Sequence, residues 1–264
     1  GKNYRGKFRF VPISPGRFDV MNDVDIDSYL KGVLAAEMLA RWDVEAYKAQ
    51  AIAARTYALY QANTVGVNRS FDVEDTSADQ VYSGITSETE KSREAADATA
   101  GVVLTVGPGN GKIFKTYFSA CCGGISQSSY DAFSEPYNEA LAERNNGAMC
   151  NQSPRFNWGP IEIRKDELTR RMKVWGAAKG NGVAAMAQVE RIDVQYVNKF
   201  GRPVRFLVTD VNGQRYTLGA EETRNACNWE AGTGPKVFSS FFKTISTPET
   251  IQFVEGHGFG HGVG

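Results

Sequence analysis

Histidine is the scarcest chemically active residue in this chain, with two in 264. His257 and His261 stand beside four cysteines, Cys121, Cys122, Cys150 and Cys227, which form no Cys-x-x-Cys pair. A structural zinc site is left open but has little to build on. His257-x-x-x-His261 has ligand spacing only if helical. With glycine at 256, 258, 260 and 262 it reads instead as a tight loop, so no metal or other cofactor is expected. Charge of one sign is not in excess either. Lys plus Arg and Asp plus Glu number 30 each, which removes the electrostatic case for a nucleic-acid partner or an anionic membrane surface. No run approaches the ~18 apolar residues of a membrane span. No signal peptide is visible, and the opening Gly1-Lys2-Asn3 has no initiator Met. A removed export signal or anchor is the expectation, and any membrane contact would come through it. Internal repeats and low-complexity tracts are also missing. A hydrophobic fraction of 42% and a charged fraction of 23% are ordinary globular values, and the length suits one large domain or two small ones.

What is present draws attention first to Glu37. Residues 27–38 read as a helix whose apolar stripe is Leu30, Val33, Leu34 and Met38. Glu37 falls seven residues after Leu30 and four after Val33, so it points with them. Apolar surroundings disfavour a charged carboxylate, and a carboxyl kept protonated near neutrality is what a general acid needs. The competing reading makes Glu37 the last residue of the helix, turned to solvent. Residues 42–59 form a second, alanine-rich helix with Asp43 as N-cap. Its stripe is Val44, Tyr47, Ala51, Ile52, Ala58 and Leu59. Lys48 and Arg55 are seven apart and flank that stripe, their stems along it and their heads emerging. Gln50, Ala54, Tyr57 and Gln61 make a second face. These groups form a candidate polar cluster beside Glu37, against the alternative of an ordinary solvated face.

The rest of the chain mixes strands and helices. Strands are expected within 7–20, an irregular stretch at 71–82 and a polar helix at 87–100. The turn 107–111 joins 102–105 to 113–119 as a hairpin. A long loop covers 131–151 and a helix 166–175. Strands at 189–197, 204–210 and 214–218 alternate, with Asn212-Gly213 as a tight turn; a short helix follows at 221–227. The segment 236–244 precedes a last strand at 250–255. The fold class is α+β, with an N-terminal helical part bearing Glu37 packed on antiparallel sheet and glycine-rich loops framing a cleft.

Several of these segments together resemble a known family. The run Tyr29-Leu30-Lys31-Gly32-Val33-Leu34-Ala35-Ala36-Glu37-Met38, then Trp42, then 45–58, is similar to the signature of the stage II sporulation protein D family (SpoIID/LytB-like). Asp79-Gln80-Val81-Tyr82-Ser83-Gly84 and 98–104 resemble its next block. Phe118-Ser119-Ala120-Cys121-Cys122-Gly123-Gly124 resembles its Ser-x-x-x-Gly-Gly loop, and 153–158 and 256–264 resemble its closing blocks. The resemblance spans about residues 17–264, and implies one domain over 1–264 with a helical catalytic part at about 25–65. It implies a natural chain that continues beyond Gly264.

The activity it implies is that of a lytic transglycosylase cleaving the MurNAc–GlcNAc bond of peptide-stripped peptidoglycan strands, with Glu37 as sole acid/base. Ordinary glycoside hydrolysis uses two carboxylates, whereas one suffices for this reaction. Supporting contacts to the glycan fall to Lys48, Gln50, Arg55, Tyr57, Ser119, Gly123, Gly124 and His257. Each of these has a purely structural alternative; Lys48 and Arg55 would then pair with carboxylates and hold the cleft together. The resemblance also implies a disulfide between Cys122 and Cys150, which would leave Cys121 and Cys227 free to form a second pair; the alternative is four reduced, buried cysteines. The partners implied are glycan strands and other wall hydrolases such as an amidase, in the cell envelope of an exporting cell. Two other classes stay open. One is a non-catalytic glycan-binding or amidase-enhancing protein. The other is a muramidase that uses water and a second carboxylate at Asp75, Asp79 or Asp131.

Overall fold

Two aspartates start the two helices on which the first half of the chain is built. Asp25 caps α1 (Ile26–Glu37), its carboxylate accepting from the Ser28 amide at 2.9 Å; Asp43 caps α2 (Val44–Asn63), accepting from the Glu45 amide at 2.9 Å. Along α1 the expected stripe is buried at Leu30, Val33 and Leu34, while Met38 is the C-cap. Along α2 the small side chains of Ala51, Ala54 and Ala58 are buried in one cluster with Ala95 and Ala96 of α3 (Glu90–Ala98). Alanine faces allow close helix approach, and Tyr29, Tyr47 and Tyr82 fill the remaining space. The computed structural model describes every residue of the chain except Ser77 and Asn110, and it divides into two compact units, Gly1–Tyr117 and Phe118–Gly264.

The first unit opens with an antiparallel hairpin, β1 (Lys7–Ser14) and β2 (Arg17–Asp23). A second, minimal hairpin pairs β3 (Thr105–Val106) with β4 (Lys112–Ile113). Its arms are shorter than the expected 102–105 and 113–119. Backbone there bonds to α2 instead of to a strand: Leu104 N donates to Thr56 Oγ1 at 2.9 Å, and the Val102 carbonyl accepts from Arg55 at 3.1 Å. Asn110, expected in the turn, lies outside the described residues. The stretch 71–82 is irregular as expected among its described residues, Ser77 being outside them.

The second unit holds a three-stranded antiparallel meander, β7 (Val189–Val197), β8 (Pro203–Asp210) and β9 (Arg215–Gly219). A second antiparallel sheet pairs β10 (Phe241–Ser246) with β11 (Thr250–His257). On its other side β11 takes two short strands that periodicity did not reveal, β5 (Asn157–Trp158) and β6 (Ile161–Arg164). Two and four residues are too few to show alternation. Helices α5 (Lys165–Lys179) and α6 (Ala220–Asn228) contribute to a core of Leu168, Met172, Trp175, Phe206, Ala220, Ala226, Phe242, Ile251 and Phe253, all at most 2% exposed. The expected loop at 131–151 begins inside a short helix, α4 (Ser129–Phe133). Helices with antiparallel sheets make this an α+β protein. Among the described residues no helix is long and apolar enough to cross a membrane.

Candidate functional site

Glu37 is the last residue of α1 and is half-buried. Neither reading of the helix pattern describes it fully. It is not sunk among Leu30 and Val33, because the helix ends at this turn. Nor is it free in solvent, because its Oε1 accepts a hydrogen bond from the Val81 amide at 2.9 Å. That amide belongs to the 74–82 loop, which is tied down on both sides. Asp79 Oδ1 accepts from Tyr57 Oη at 2.7 Å and from Gln61 Nε2 at 2.8 Å, and its Oδ2 accepts from Glu74 N at 2.9 Å. Gln80 donates to the Ala54 carbonyl at 3.2 Å and accepts from Tyr29 Oη at 3.0 Å. Asp75 accepts from Tyr82 N at 2.6 Å. The second face of α2, Gln50-Ala54-Tyr57-Gln61, is thus the surface on which this loop docks. Burial, then the negative fields of Asp79 and Asp75, with Glu37 further down the order, push the Tyr29 hydroxyl well above its ordinary pKa.

Gly32 lets the loop sit there. A Cβ at this position would meet the Tyr82 ring at 2.6 Å. Glycine in a helix interior costs about 1 kcal/mol relative to alanine; here it makes room for the ring that follows Val81.

The remaining first-unit candidates divide into two kinds. Arg55 does not emerge beside the stripe. It is 1% exposed, pairs with Asp27 at 2.8 Å, and donates to the Ala96 and Val102 carbonyls and weakly to Thr99. Seven-residue spacing put it on the correct side of α2, but α3 and the following turn cover that side. Tyr57 is likewise buried and committed to Asp79. Lys48 remains at the surface, paired with Glu45 three residues earlier at 2.6 Å. Gln50 Nε2 is buried with no hydrogen-bond partner among the described residues. An unpaired buried donor costs roughly 1–3 kcal/mol, so it is a position that a ligand acceptor would satisfy.

In the second unit the two glycine-rich loops lie against each other. Cys121 and Phe259 exchange backbone hydrogen bonds at 3.1 and 2.8 Å. A Cβ on Gly123 would sit 2.7 Å from the Gly258 nitrogen, and one on Gly124 would sit 2.8 Å from the Gly147 carbonyl, so both positions require glycine. Ser119 is half-buried beside Gly260. His257 is half-buried, 2.7 Å from Asn157 Oδ1 through Nδ1, and burial lowers its pKa. His261 accepts from Val263 N at Nδ1, and burial brings its pKa down to about 4. His257 is the last residue of β11 and His261 lies in the loop that follows it, so neither imidazole is on a helix. Among the described residues no group of three or more His, Cys, Asp or Glu has the arrangement of a metal site.

The four cysteines are all thiols. Cys122 and Cys150 have sulfurs 3.6 Å apart, but Cys121 Sγ is closer to Cys150, at 3.2 Å. Cys227 is buried in the apolar core, which pushes its thiol up to about 12. Sequence reasoning missed Gln80 and the Val81 amide as parts of the Glu37 environment, although Asp79-Gln80-Val81-Tyr82 falls within a block resembling the family. It also missed Arg202, which is fully buried and donates to the Cys122 and Ile125 carbonyls at 2.9 and 2.7 Å.

Comparison with known proteins bears on the first of these two regions. Residues 14–106 match the family model described as Stage II sporulation protein, SpoIID. Over this stretch the chain is similar to the SpoIID family. The SpoIID match contains α1, α2, the 74–82 loop and α3, and therefore Glu37, Asp79 and the groups that hold them. An uncharacterized protein of Brachyspira hyodysenteriae is 39% identical over 133 residues, 50% of this chain and 35% of its own length. A Bacillus subtilis protein named Amidase enhancer is 26% identical over 268 residues, covering 89% of this chain and 36% of its own length. The chain thus spans about a third of the length of these curated relatives.

Proposed function

We propose that this chain acts on the bacterial cell wall as a lytic transglycosylase, with Glu37 as the acid and then the base. The observation that carries the reading is the bond from Val81 N to Glu37 Oε1, within a SpoIID segment. Among the described residues only Oε1 is engaged, so Oε2 is available to a substrate oxygen. In the proposed reaction Glu37 gives its proton to the glycosidic oxygen between N-acetylmuramic acid and N-acetylglucosamine. The C1–O bond breaks with that transfer. The carboxylate then takes the proton of the muramoyl 6-hydroxyl, whose oxygen bonds to C1 and closes a 1,6-anhydro ring. No water is consumed, and the carboxyl is regenerated.

Gln50 is the first choice for a glycan contact, since its orphaned amide nitrogen lacks an acceptor. Lys48 is the cation available to a lactyl carboxylate. Arg55 and Tyr57 enter as positioning residues, because their polar groups are engaged by protein. Ser119, Gly123, Gly124 and His257 are proposed as further glycan contacts, the glycines by letting backbone approach. We read 1–264 as one SpoIID/LytB-like domain of an exported, envelope-located protein, with no cofactor in the reaction.

A muramidase reading is favoured by one observation. Asp75 and Glu37 accept from the amides of consecutive residues, Tyr82 and Val81. Their carboxylates are therefore at most ~9 Å apart, not beyond the reach of two-carboxylate hydrolases. The relative's name, Amidase enhancer, supports a third reading in which the chain promotes another wall hydrolase. Peptide-free glycan strands incubated with the chain separate the three. Anhydro-muramoyl ends support the transglycosylase. Reducing ends, lost on Asp75→Asn, support the muramidase. No cleavage, with faster release of peptides by an added amidase, supports the enhancer.

A further inference from the structure

The Cys121-Cys122-Gly123-Gly124 turn wraps around a single sulfur, that of Cys150. The Cys121 thiol donates to it at 3.2 Å and the Cys122 thiol lies 3.6 Å away. Gly123 and Gly124 have φ of 71° and 93°, a backbone that most side chains would strain. Beneath the turn, the buried Arg202 guanidinium donates to the carbonyls of Cys122 and Ile125, at the two ends of the Gly-Gly pair. The positive charge acts on the Cys122 and Cys121 sulfurs of the cluster, and thiols near a cation ionise more readily.

The three sulfurs also differ in access. Cys150 and Cys122 are half-buried, whereas Cys121 is 3% exposed behind them. An incoming reagent therefore meets Cys150 or Cys122 before Cys121, whose thiol lies within contact of Cys150.

We propose that Cys150 is a peroxide-reactive thiolate, that Cys121 resolves the oxidised sulfur, and that Cys122 is an exchange partner for the disulfide so formed. The reagent class is a hydroperoxide. The Cys150 thiolate attacks one peroxide oxygen; an S–O bond forms, the O–O bond breaks, and water or an alcohol leaves with a proton. Cys150 is oxidised by two electrons to the sulfenic acid and the peroxide is reduced. Cys121 sulfur then attacks Cys150 sulfur; an S–S bond forms, the S–O bond breaks, and hydroxide leaves with the Cys121 proton as water. Cys122, deprotonated, can then attack Cys150. The S–S bond moves to Cys122–Cys150 and Cys121 recovers a proton, with no net redox change. The Cys122–Cys150 bridge implied by family resemblance becomes one state of a three-sulfur exchange.

The electrostatics agree with this order. For Cys150, burial alone would raise the pKa, but the hydrogen bonds from Cys121, Gly124, Cys122 and Gly123 outweigh it and the thiol lies below its ordinary value. For Cys121, burial and its donated bond to Cys150 act together and raise it. Nucleophile and resolving thiol are thus distinguished by environment. Cys227, buried in the core, is an internal unreactive control.

The test uses the fully reduced chain in chelator-treated buffer, exposed to hydrogen peroxide with and without dimedone, followed by peptide mapping. Wild type should yield a Cys121–Cys150 disulfide, with Cys122–Cys150 appearing on standing. The double variant Cys121→Ser/Cys122→Ser should form no disulfide and collect dimedone at Cys150. Cys150→Ser should lose both products. Because that variant removes the centre of the cluster, a second measurement uses unaltered protein. Alkylation of Cys150 in the folded chain should be faster than in the same chain unfolded in urea. Equal or slower alkylation in the folded chain would overturn the proposal. So would oxidation confined to Met149 or Cys227, or one equivalent of zinc bound by the purified protein and released on thiol modification.

Discussion

Changing a carboxylate to its amide keeps the shape of the side chain and removes the proton chemistry, which makes Glu37→Gln the most direct test at the residue scale. The bond from Val81 N survives in this variant, because the Gln carbonyl oxygen can still accept it. Fold and melting temperature should be unchanged while formation of anhydro-muramoyl product falls by ~10²–10⁴-fold. Near wild-type cleavage would remove Glu37 from the mechanism. Arg55 and Lys48 should part company in the same assay. Arg55 is 1% exposed and paired with Asp27, so Arg55→Gln leaves buried carbonyls and a carboxylate without their cation. Losing one partner of such a pair costs about 3–5 kcal/mol, and thermal melting should register it. Lys48→Gln breaks only a surface pair with Glu45 and should leave the melting temperature in place. A loss of activity confined to peptide-stripped strands would then assign Lys48 to the lactyl carboxylate. Equal loss on peptide-bearing strands would refute that role.

At the scale of elements, the 74–82 loop and the α1–α2 pair act as one device. Asp79, gripped by Tyr57 and Gln61 of α2, anchors the loop that carries the Val81 amide to the end of α1. Gly32→Ala tests this at a distance from the carboxylate. Helix propensity alone would favour alanine by about 1 kcal/mol. The added Cβ, however, would meet the Tyr82 ring at 2.6 Å, and the neighbouring Gly84 nitrogen at 3.3 Å limits retreat. The clash should win: helix content is kept, stability falls, and glycan cleavage drops because the loop is displaced from Glu37. Shrinking the ring in Gly32→Ala/Tyr82→Leu should restore part of the cleavage relative to Gly32→Ala. No recovery in a double-mutant comparison would show that the loop does not transmit the effect.

For the whole molecule, acidity is the simplest global probe. The second unit buries His261 with Glu221, Arg224 and Arg202 around it, and burial leads in lowering its pKa from 6.5 to about 4. A base with a depressed folded pKa is protonated first in the unfolded chain. Its contribution to stability is full above about pH 6.5, is lost as pH falls through the window down to about 4, and changes no further below that. The loss is up to about 3 kcal/mol. His257, also lowered by burial, acts in the same direction. Acid loss from Glu167, held down to about 2 by Arg170 and Arg171, sets in only at lower pH. Urea midpoints should therefore decline before the carboxylates titrate, and His261→Gln should flatten that decline. An unchanged slope in the variant would clear His261 of the effect.

Local pattern in the sequence was enough for the two helices, with the Asp43 cap of the second, and for the β7–β9 meander with its Asn212-Gly213 turn. Caps and periodicity arise within a few residues, so they survive without knowledge of tertiary contacts. The α+β class and the resemblance to the SpoIID family were legible for the same reason: both rest on contiguous stretches. Tertiary structure decided the rest. Period counting put Arg55 on the correct side of α2, but only the docking of α3 showed that this side is closed. Glu37 was placed by its spacing, yet its partner is an amide 44 residues later, supplied by a loop with no periodicity to read. Cys121 and Cys122 are neighbours in the chain and equivalent by composition. Which lies nearer to Cys150 depends on the left-handed glycines beside them, and that is a matter of backbone path through space, which residue spacing does not encode.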